Sequence, residues 1–234
     1  MQKTRKSILF SFLMFFSLIG FAQDSIPKKT GDIKYREDQF YIGMTYNLIL
    51  SNTENLNPEG LSGGVNFGFI RDMPINEKRN ISIGVGVGAT LDQYGSSLKI
   101  SKNESDTNLF TVLSDTLNYK YNRFQTAVIE VPIQFRWRTS TSTSYKFWRA
   151  YVGFNVGYTI WYRSRFKDDT GSYSATNISE YDKLRLGTTL SAGYNKFNFY
   201  VYYSLNPFYK DAITTDGQKV DFKTLKLGLV FYIL

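Results

Sequence analysis

The stretch that most constrains the fold is 126–138, where apolar and polar residues alternate. Its apolar set is Ala127, Ile129, Val131, Ile133, Phe135 and Trp137. A period of two is that of a β-strand, and a run of about thirteen residues is long beside the usual five or six. An apolar face backed by charged residues is typical of a membrane barrel, whose strands cross with about ten residues. Pro132 cannot donate to a strand ladder, so it predicts a bulge or another irregular point.

Seven further runs share this alternation, so the chain as a whole predicts eight strands. Their apolar faces begin at Phe40, Leu61, Ile81, Ala150, Leu184, Phe197 and Leu225. Eight is the smallest common size of an outer-membrane barrel, and such barrels have an even number of strands. The predicted fold class is all-β: an eight-stranded antiparallel transmembrane up-and-down β-barrel, preceded by a cleavable signal peptide.

Glycine indicates which face of each strand points inward. With the exception of Gly63, the strand glycines fall opposite the apolar set: Gly43, Gly64, Gly68, Gly84, Gly86, Gly88, Gly153, Gly157, Gly187, Gly193 and Gly228. The interior of an eight-stranded barrel is only wide enough for side chains to fill. Glycine there makes room for large inward groups, for which Arg149, Tyr151 and Trp161 are candidates. A soluble lipocalin-like barrel would show the reverse pattern, with apolar residues inside.

The connections between the predicted strands alternate in length. Long ones cover 51–59, 92–125, 164–181 and 206–221, whereas 72–79, 139–146 and 195–196 are short. Outer-membrane barrels have short periplasmic turns and longer outer loops, so both termini are expected in the periplasm. Aromatic residues such as Trp148 and Tyr158 crowd the strand ends, as in interfacial girdles.

The N-terminal residues 1–22 have the pattern of a secretory signal peptide. Lys3, Arg5 and Lys6 precede a short apolar core, and small residues follow up to Ala22. A transmembrane anchor is the alternative, but the apolar run is short for a bilayer of about 30 Å. Residues 23–37 are predicted to be a short periplasmic segment, and 38–234 the barrel, located in the cell outer membrane.

The amino-acid composition excludes several kinds of functional site. The 234 residues include neither cysteine nor histidine, which removes disulfides, thiolate metal sites and the commonest general base. No enzymatic activity, cofactor, metal, nucleic acid or small-molecule substrate is predicted. An outer-membrane enzyme acting on lipid or peptide is the rival hypothesis, but such barrels usually carry a catalytic histidine. The formal net charge of +8 is weak evidence for an anionic partner.

Charged residues on the inward set predict a network inside the lumen. They are Glu130, Arg136, Arg138, Arg149, Arg163, Arg185 and Lys226. One interpretation is structural, a salt-bridged or hydrated network that fills a narrow barrel. The other is a binding site for an anionic group.

Basic residues also gather at the predicted periplasmic end. Arg71, Lys78, Arg79 and Lys146 lie on or beside the short turns, where acids are few. A solvated rim is the simple interpretation. Our hypothesis is a docking face for a partner protein on the periplasmic side.

Several motifs together resemble a known family. Ile129-Glu130-Val131-Pro132-Ile133 resembles the Glu-x-Pro strand motif of Bacteroidetes outer-membrane β-barrel proteins. The segments 71–80 (RDMPINEKRN), 135–140 (FRWRTS) and 145–149 (YKFWR) resemble the PorT (SprT) family. That resemblance covers nearly the whole chain after the leader, and it carries over no catalytic residues.

The resemblance implies an outer-membrane component required for type IX secretion, which exports proteases and gliding adhesins. Its expected partners are outer-membrane lipid and other secretion-system proteins on the periplasmic side. Eight strands leave no protein-sized channel, so a structural or assembly role is expected rather than the conduit itself. The alternative is a generic small barrel, an adhesin or a small-solute pore, without a secretion role.

Overall fold

The computed structural model of the protein describes residues 38–103, 105–114, 116–139 and 147–233. The predicted signal peptide, the segment 23–37 and Lys146 lie outside these residues. No helix in the described ranges is long and apolar enough to cross a membrane, a finding that concerns helices alone.

Eleven strands are seen in the described residues. They are β1 Gln39–Leu50, β2 Gly63–Pro74, β3 Ile81–Gly95, β4 Leu98–Lys102, β5 Asn108–Val112, β6 Tyr121–Arg138, β7 Trp148–Lys167, β8 Ser172–Ala175, β9 Leu184–Tyr194, β10 Phe197–Ser204 and β11 Lys223–Ile233. Eight of them pair antiparallel in the order β6-β3-β2-β1-β11-β10-β9-β7, and a β6–β7 pairing closes the ring. The predicted eight-stranded antiparallel barrel is therefore confirmed.

The remaining three strands belong to the long connections. The loop predicted at 92–125 is shorter than expected, because β3 continues to Gly95 and β6 begins at Tyr121. Between them β4 and β5 form a separate two-stranded sheet. Strand β8 pairs with the last residues of β7. We call the end of the barrel that carries these long connections the loop end, and the end with 75–80 and 195–196 the turn end.

The two faces of the wall have opposite character. Large apolar side chains such as Phe40, Met44 and Phe199 point outward and are 62%, 66% and 75% exposed. Inward positions on these and neighbouring strands hold buried polar residues, among them Asn47, Asn66 and Asn198. A barrel that is apolar outside and polar inside is matched to a lipid environment.

One irregularity lies in β7 and changes the predicted facing of three residues. The register between β6 and β7 shifts between Ala127 and Val128, so that Ile160 is an extra residue in β7. Ile160 and Trp161 both point outward as a result. Trp161, predicted inward, is therefore outside. Tyr162, placed on the outer face by the alternation, instead packs against buried aromatic residues inside.

Because of the same bulge, Arg163 points away from the lumen, and the prediction that placed it inside is wrong. Its Nη2 donates a hydrogen bond to the Ser174 hydroxyl of β8 at 3.1 Å, and Ser174 is exposed on the outer wall. Because side chains in a strand alternate, one inserted residue moves every later side chain to the opposite face.

Pro132 does not sit at a bulge. The β3–β6 register is identical on both sides of it, with Val85 opposite Ile133 and Gly88 opposite Glu130. Only the positions between these pairs lack an assigned partner on β3, whereas Pro132 keeps its place opposite Asn155 of β7. The missing donor thus causes a local gap in one ladder.

Inner-face glycines leave space for neighbouring side chains, as the sequence predicted. A Cβ atom at Gly84 would come within 2.7 Å of the Arg136 Cδ and 2.8 Å of the Ile70 Cγ2. At Gly187 a Cβ would collide with the Tyr202 ring. Large side chains therefore fill the lumen only because the facing wall positions have none.

Candidate functional site

A carboxylate surrounded by guanidinium groups closes the lumen at the turn end. Asp72 accepts hydrogen bonds from Arg136 Nη1 at 3.0 Å, Arg138 Nη1 at 2.9 Å and Arg138 Nη2 at 2.8 Å. The side chains of all three residues have no exposed surface. Strands β2 and β6 bring them together, and Ser82 of β3 adds a hydroxyl donor at 2.6 Å. We call this set the Asp72 cluster.

The two arginines of the Asp72 cluster make further contacts. Arg136 also hydrogen-bonds the Gln39 side chain, and its guanidinium carbon lies 4.3 Å from the centre of the Tyr151 ring. Arg138 Nε donates to the Arg79 carbonyl at 3.1 Å. Buried charges are tolerated when they are paired and hydrogen-bonded. These hydrogen bonds therefore tie four strands, β1, β2, β3 and β6, and the 75–80 turn together.

A second ion pair lies in the half of the lumen that is nearer the loop end. Lys226 Nζ is 2.5 Å from Asp92 Oδ2, and Asn47 Nδ2 donates to Asp92 Oδ1 at 2.9 Å. Glu130 is also buried and accepts a hydrogen bond from the Thr90 hydroxyl at 3.2 Å. The direct partner of Lys226 is thus Asp92, and not the Glu130 carboxylate that the sequence suggested as the central acid.

The space left around Glu130 is small. One cavity of about 20 Å³ is lined by Glu130, Asp92 and Lys226 among others, and a second of about 10 Å³ lies between Glu130 and Tyr200. A cavity needs a volume of about 10–15 Å³ to hold one water molecule. The lumen at this level therefore has room for single waters and not for an organic solute.

Replacing each of the two acids Asp92 and Glu130 by its amide is expected to lower the free energy of unfolding by unequal amounts. Asp92→Asn leaves the buried Lys226 ammonium without its direct partner and should lower the free energy of unfolding by about 3 kcal/mol. Glu130→Gln keeps a group that can accept from Thr90, and should cost about 1 kcal/mol or less. Urea unfolding in detergent micelles measures both, and equal losses would contradict the assignment of Asp92 as the partner.

At the loop end, Arg185 joins the lumen to the connections above it. Its Nη2 donates to the Asp182 carbonyl at 2.7 Å and to the Pro207 carbonyl at 2.8 Å. The guanidinium carbon lies 4.6 Å from the centre of the Phe208 ring. Two of the long connections, 176–183 and 205–222, are thereby fixed to the top of β9.

Above Arg185 the long connections pack around an aromatic core. We call it the loop core, and its buried members are Leu56, Tyr94, Leu98, Ile100, Phe110, Phe124, Ala175, Ile178, Tyr181, Phe208, Tyr209, Ala212, Val220 and Phe222. The Tyr181 ring stacks on Tyr162 with centroids 4.3 Å apart, and Phe208 meets Phe222 edge-on at 5.1 Å. Burial raises the pKa of Tyr181 to about 12. The loop end is thus a packed structure, covering the barrel mouth.

Asp182 is a half-buried acid of this region whose ionised form the structure favours. Burial alone would raise its pKa, but hydrogen bonds from Lys210 at 2.9 Å, the Leu184 backbone N–H at 3.0 Å and Asn206 at 3.1 Å outweigh it. The pKa of Asp182 therefore lies below its ordinary value, because the folded loops hold the carboxylate.

The lowered pKa of Asp182 predicts that the loop end loosens in acid. A depressed folded-state pKa adds stability above the unfolded value of about 4, and that stability is lost as the pH falls through the folded value. Near-UV circular dichroism from pH 6 to pH 2 should show the aromatic signal of the loops weakening below about pH 4. The variant Asp182→Asn, which cannot titrate, should lack this component, and superimposable curves would contradict the assignment.

The predicted lumen residues thus separate into different surroundings. Arg136 and Arg138 join the Asp72 cluster, Glu130 and Lys226 lie in the middle, Arg185 lies at the loop end, and Arg163 is outside. Arg149 is buried with its guanidinium carbon 4.4 Å from the Phe147 ring centre. Asp72, which pairs with Arg136 and Arg138, and Asp92, which pairs with Lys226, were missed. Both occupy inward positions by alternation, but each stood where the sequence predicted a connection to begin.

The predicted docking face is only partly described. Arg71 lies on the outer side of β2, half exposed, with Nε 3.6 Å from Asp38 Oδ2. Lys78 is exposed in the 75–80 turn, and the Arg79 carbonyl accepts from Arg138. In the described residues, no group of three or more His, Cys, Asp or Glu side chains could hold a metal ion.

An eight-stranded closed barrel with an apolar outer wall and a filled polar lumen defines a transmembrane protein of the outer-membrane type. The comparison with protein families agrees with that class. The chain belongs to the outer membrane protein beta-barrel domain family, whose model matches residues 21–210.

No curated protein matches the chain. Among solved structures, Ail, the attachment invasion locus protein of Yersinia pestis, is similar at 13% identity and a TM-score of 0.37. The match covers 85% of this chain and 99% of that one.

Proposed function

We propose that the protein is an outer-membrane component required for type IX protein secretion, with a structural or assembly role. The proposal rests on the resemblance of 71–80, 135–140 and 145–149 to the PorT (SprT) family. These segments include the 75–80 turn and the strand end that carries Arg136 and Arg138. The most distinctive sequence motifs therefore coincide with the turn end, where the Asp72 cluster fixes the backbone.

The filled lumen is the observation that favours an assembly role over transport. The cavities beside Glu130 measure about 20 and 10 Å³, and the loop core covers the mouth above them. A conduit for protein would need a far wider barrel. For the same reason a small-solute pore is the weaker alternative, while an adhesin that uses the loop end is compatible with the same fold.

The orientation follows from the connections. The short turns are assigned to the periplasm and the packed loops to the cell exterior. In that orientation Arg71, Lys78 and Arg79 form a basic rim facing the periplasm. A partner with an acidic surface would be attracted to this rim.

Deletion of the gene tests the secretion role. We expect loss of secreted proteases from the culture medium, or of gliding, with restoration by the wild-type gene on a plasmid. Normal secretion combined with altered adhesion or permeability would overturn the proposal in favour of a generic barrel.

A charge-reversal variant tests the basic rim separately. Arg71→Glu combined with Lys78→Glu should reduce secretion while the barrel still folds, as judged by its heat-modifiable mobility on gels. Lys219→Glu, an exposed site at the loop end, is the matched control. If the double variant secretes as the control does, the rim is a solvated edge and not a docking face.

A further inference from the structure

The outer wall carries an unusual concentration of arginine just above the apolar band at the loop end. After the bulge at Ile160, Arg163 and Arg165 of β7 point outward, and so does Arg123 of β6. Arg123 is directly opposite Arg165 in the ladder, and Gln125 is opposite Arg163. Like charges placed directly opposite each other destabilise a sheet. The folded protein alone gives no reason for this arrangement.

These three side chains also lack acidic partners. Among the described residues, no ion pair involves Arg123, Arg163 or Arg165. The contacts they do make are with neutral groups: the Arg123 guanidinium lies 4.6 Å from the centre of the Tyr121 ring, and Arg163 donates to Ser174. The nearby acid Asp169 pairs with Lys120 at 2.9 Å instead. Glu59 lines a cavity together with Arg123. Arginine side chains that form no ion pair within the described residues are suited to an external anion.

The height of the patch matches the polar layer of a membrane. Trp148 and Trp161 lie on the outer face of β7 near its two ends, 60% and 46% exposed. At about 3.3 Å per residue and a tilt of about 40°, they are roughly 30 Å apart along the membrane normal. Tryptophans favour the two interfaces. Arg163 and Arg165 then lie roughly 5 and 10 Å beyond the hydrocarbon edge, within or just above the headgroup layer.

An apolar groove adjoins the arginine patch on the same wall. It measures about 590 Å³, and its lining includes Met44, Tyr46, Leu61, Leu91 and Trp161. Gly63, the one strand glycine on the apolar face, also lines it, so no side chain fills the wall at that point. Gln125, the ladder neighbour of Arg163, lies at the groove edge. Apolar and cationic surfaces are thus continuous.

We propose that this wall binds a phosphorylated glycolipid of the outer leaflet. One acyl chain lies in the groove over Gly63, and the phosphate groups bind Arg123, Arg163 and Arg165. Guanidinium groups suit phosphate because their parallel N–H donors match two of its oxygens. We choose a glycolipid rather than a phospholipid because the loop end is assigned to the cell exterior. The inference depends on that orientation and not on the secretion role.

Lipid retention by the purified barrel tests the proposal. The protein is folded in detergent micelles, mixed with bisphosphorylated lipid A or with phosphatidylglycerol, and examined by native mass spectrometry. The triple variant Arg123→Gln, Arg163→Gln, Arg165→Gln should retain lipid A at least ten-fold more weakly than the wild type. Because like charges are removed, the variant should fold at least as well. Lys196→Gln, which removes an exposed cation in the 195–196 turn, is the control and should retain lipid A fully.

A second variant addresses the groove. Gly63→Leu places a side chain on the groove surface. It should weaken the retention of lipid A. The dependence of that retention on salt concentration should remain as in the wild type, because the arginines remain.

Three results would overturn the proposal. The first is equal retention of lipid A by the wild type and the triple variant. The second is retention of phosphatidylglycerol as strong as that of lipid A, which would make the patch a general anionic-lipid site. The third is displacement of lipid A by polyglutamate at equal charge concentration, which would favour an acidic protein as the occupant.

Discussion

The substitution Asp72→Asn is expected to be the most damaging conservative change in the barrel. It removes the buried negative charge that Arg136 and Arg138 share. Breaking a buried ion pair by removing one partner costs about 3–5 kcal/mol. The larger end of that range is expected, because two cations lose one anion. Nearby polar groups such as Ser82 and Gln39 cannot replace the charge.

Urea unfolding in micelles measures this effect, with the folded fraction followed by gel mobility without heating. The control is Asp169→Asn, which removes an exposed partner of Lys120 and should cause no measurable change. A second comparison replaces Asp72, Arg136 and Arg138 together by apolar residues of similar volume. That triple variant should recover much of the lost stability, because no charge is then left buried. A small loss for Asp72→Asn would show that the arginines find other partners.

Truncation of Phe208 is expected to disrupt the loop end and spare the barrel. Its ring packs against Tyr94, Phe124 and Phe222 with centroids 5.1 to 6.2 Å apart, and it supports the Arg185 guanidinium. Removing such a buried ring typically costs about 3–5 kcal/mol through lost contacts and the cavity left behind. Although Tyr94 and Phe124 belong to β3 and β6, most members of the loop core lie in the long connections, so the loss should appear mainly as local opening of the loops.

Limited proteolysis of the folded protein distinguishes local from global loss. With Phe208→Ala, cleavage should become faster in 51–62, 96–120, 168–183 and 205–222, while the barrel remains resistant to heat-induced mobility change. Ile213→Ala is the control, since Ile213 lies on the same connection but is 60% exposed. If both variants show the cleavage pattern of the wild type, the aromatic core does not hold the loops together.

The barrel could be predicted from sequence because lipid and lumen impose opposite chemistry on alternate residues. The alternation that begins at Phe40, and the glycines opposite it, report that constraint directly. The bulge at Ile160 could not be predicted in the same way. Ile160, Trp161 and Tyr162 are all compatible with either face, so their types carry no signal for the extra residue.

The lumen charges were predicted only in part for a related reason. Arg136 and Arg138 stand within an unmistakable strand, but Asp72 and Asp92 follow the last clearly apolar residues of theirs. An acid at a strand end is equally typical of a turn. No sequence pattern predicted the loop core. Phe208, Tyr209 and Phe222 lie in segments without a period, and only the folded chain brings them together.

The bulge in β7 makes the length of that strand matter more than its composition. Between Trp161 and Lys167 many single substitutions would leave each side chain on its present side. Loss of Ile160 would instead exchange the two sides at once, carrying Arg163 and Arg165 inward and Tyr162 out into the lipid. Both the loop core and the arginine patch therefore depend on one inserted residue. Variation in this segment should be found in residue type, whereas insertions and deletions should be excluded.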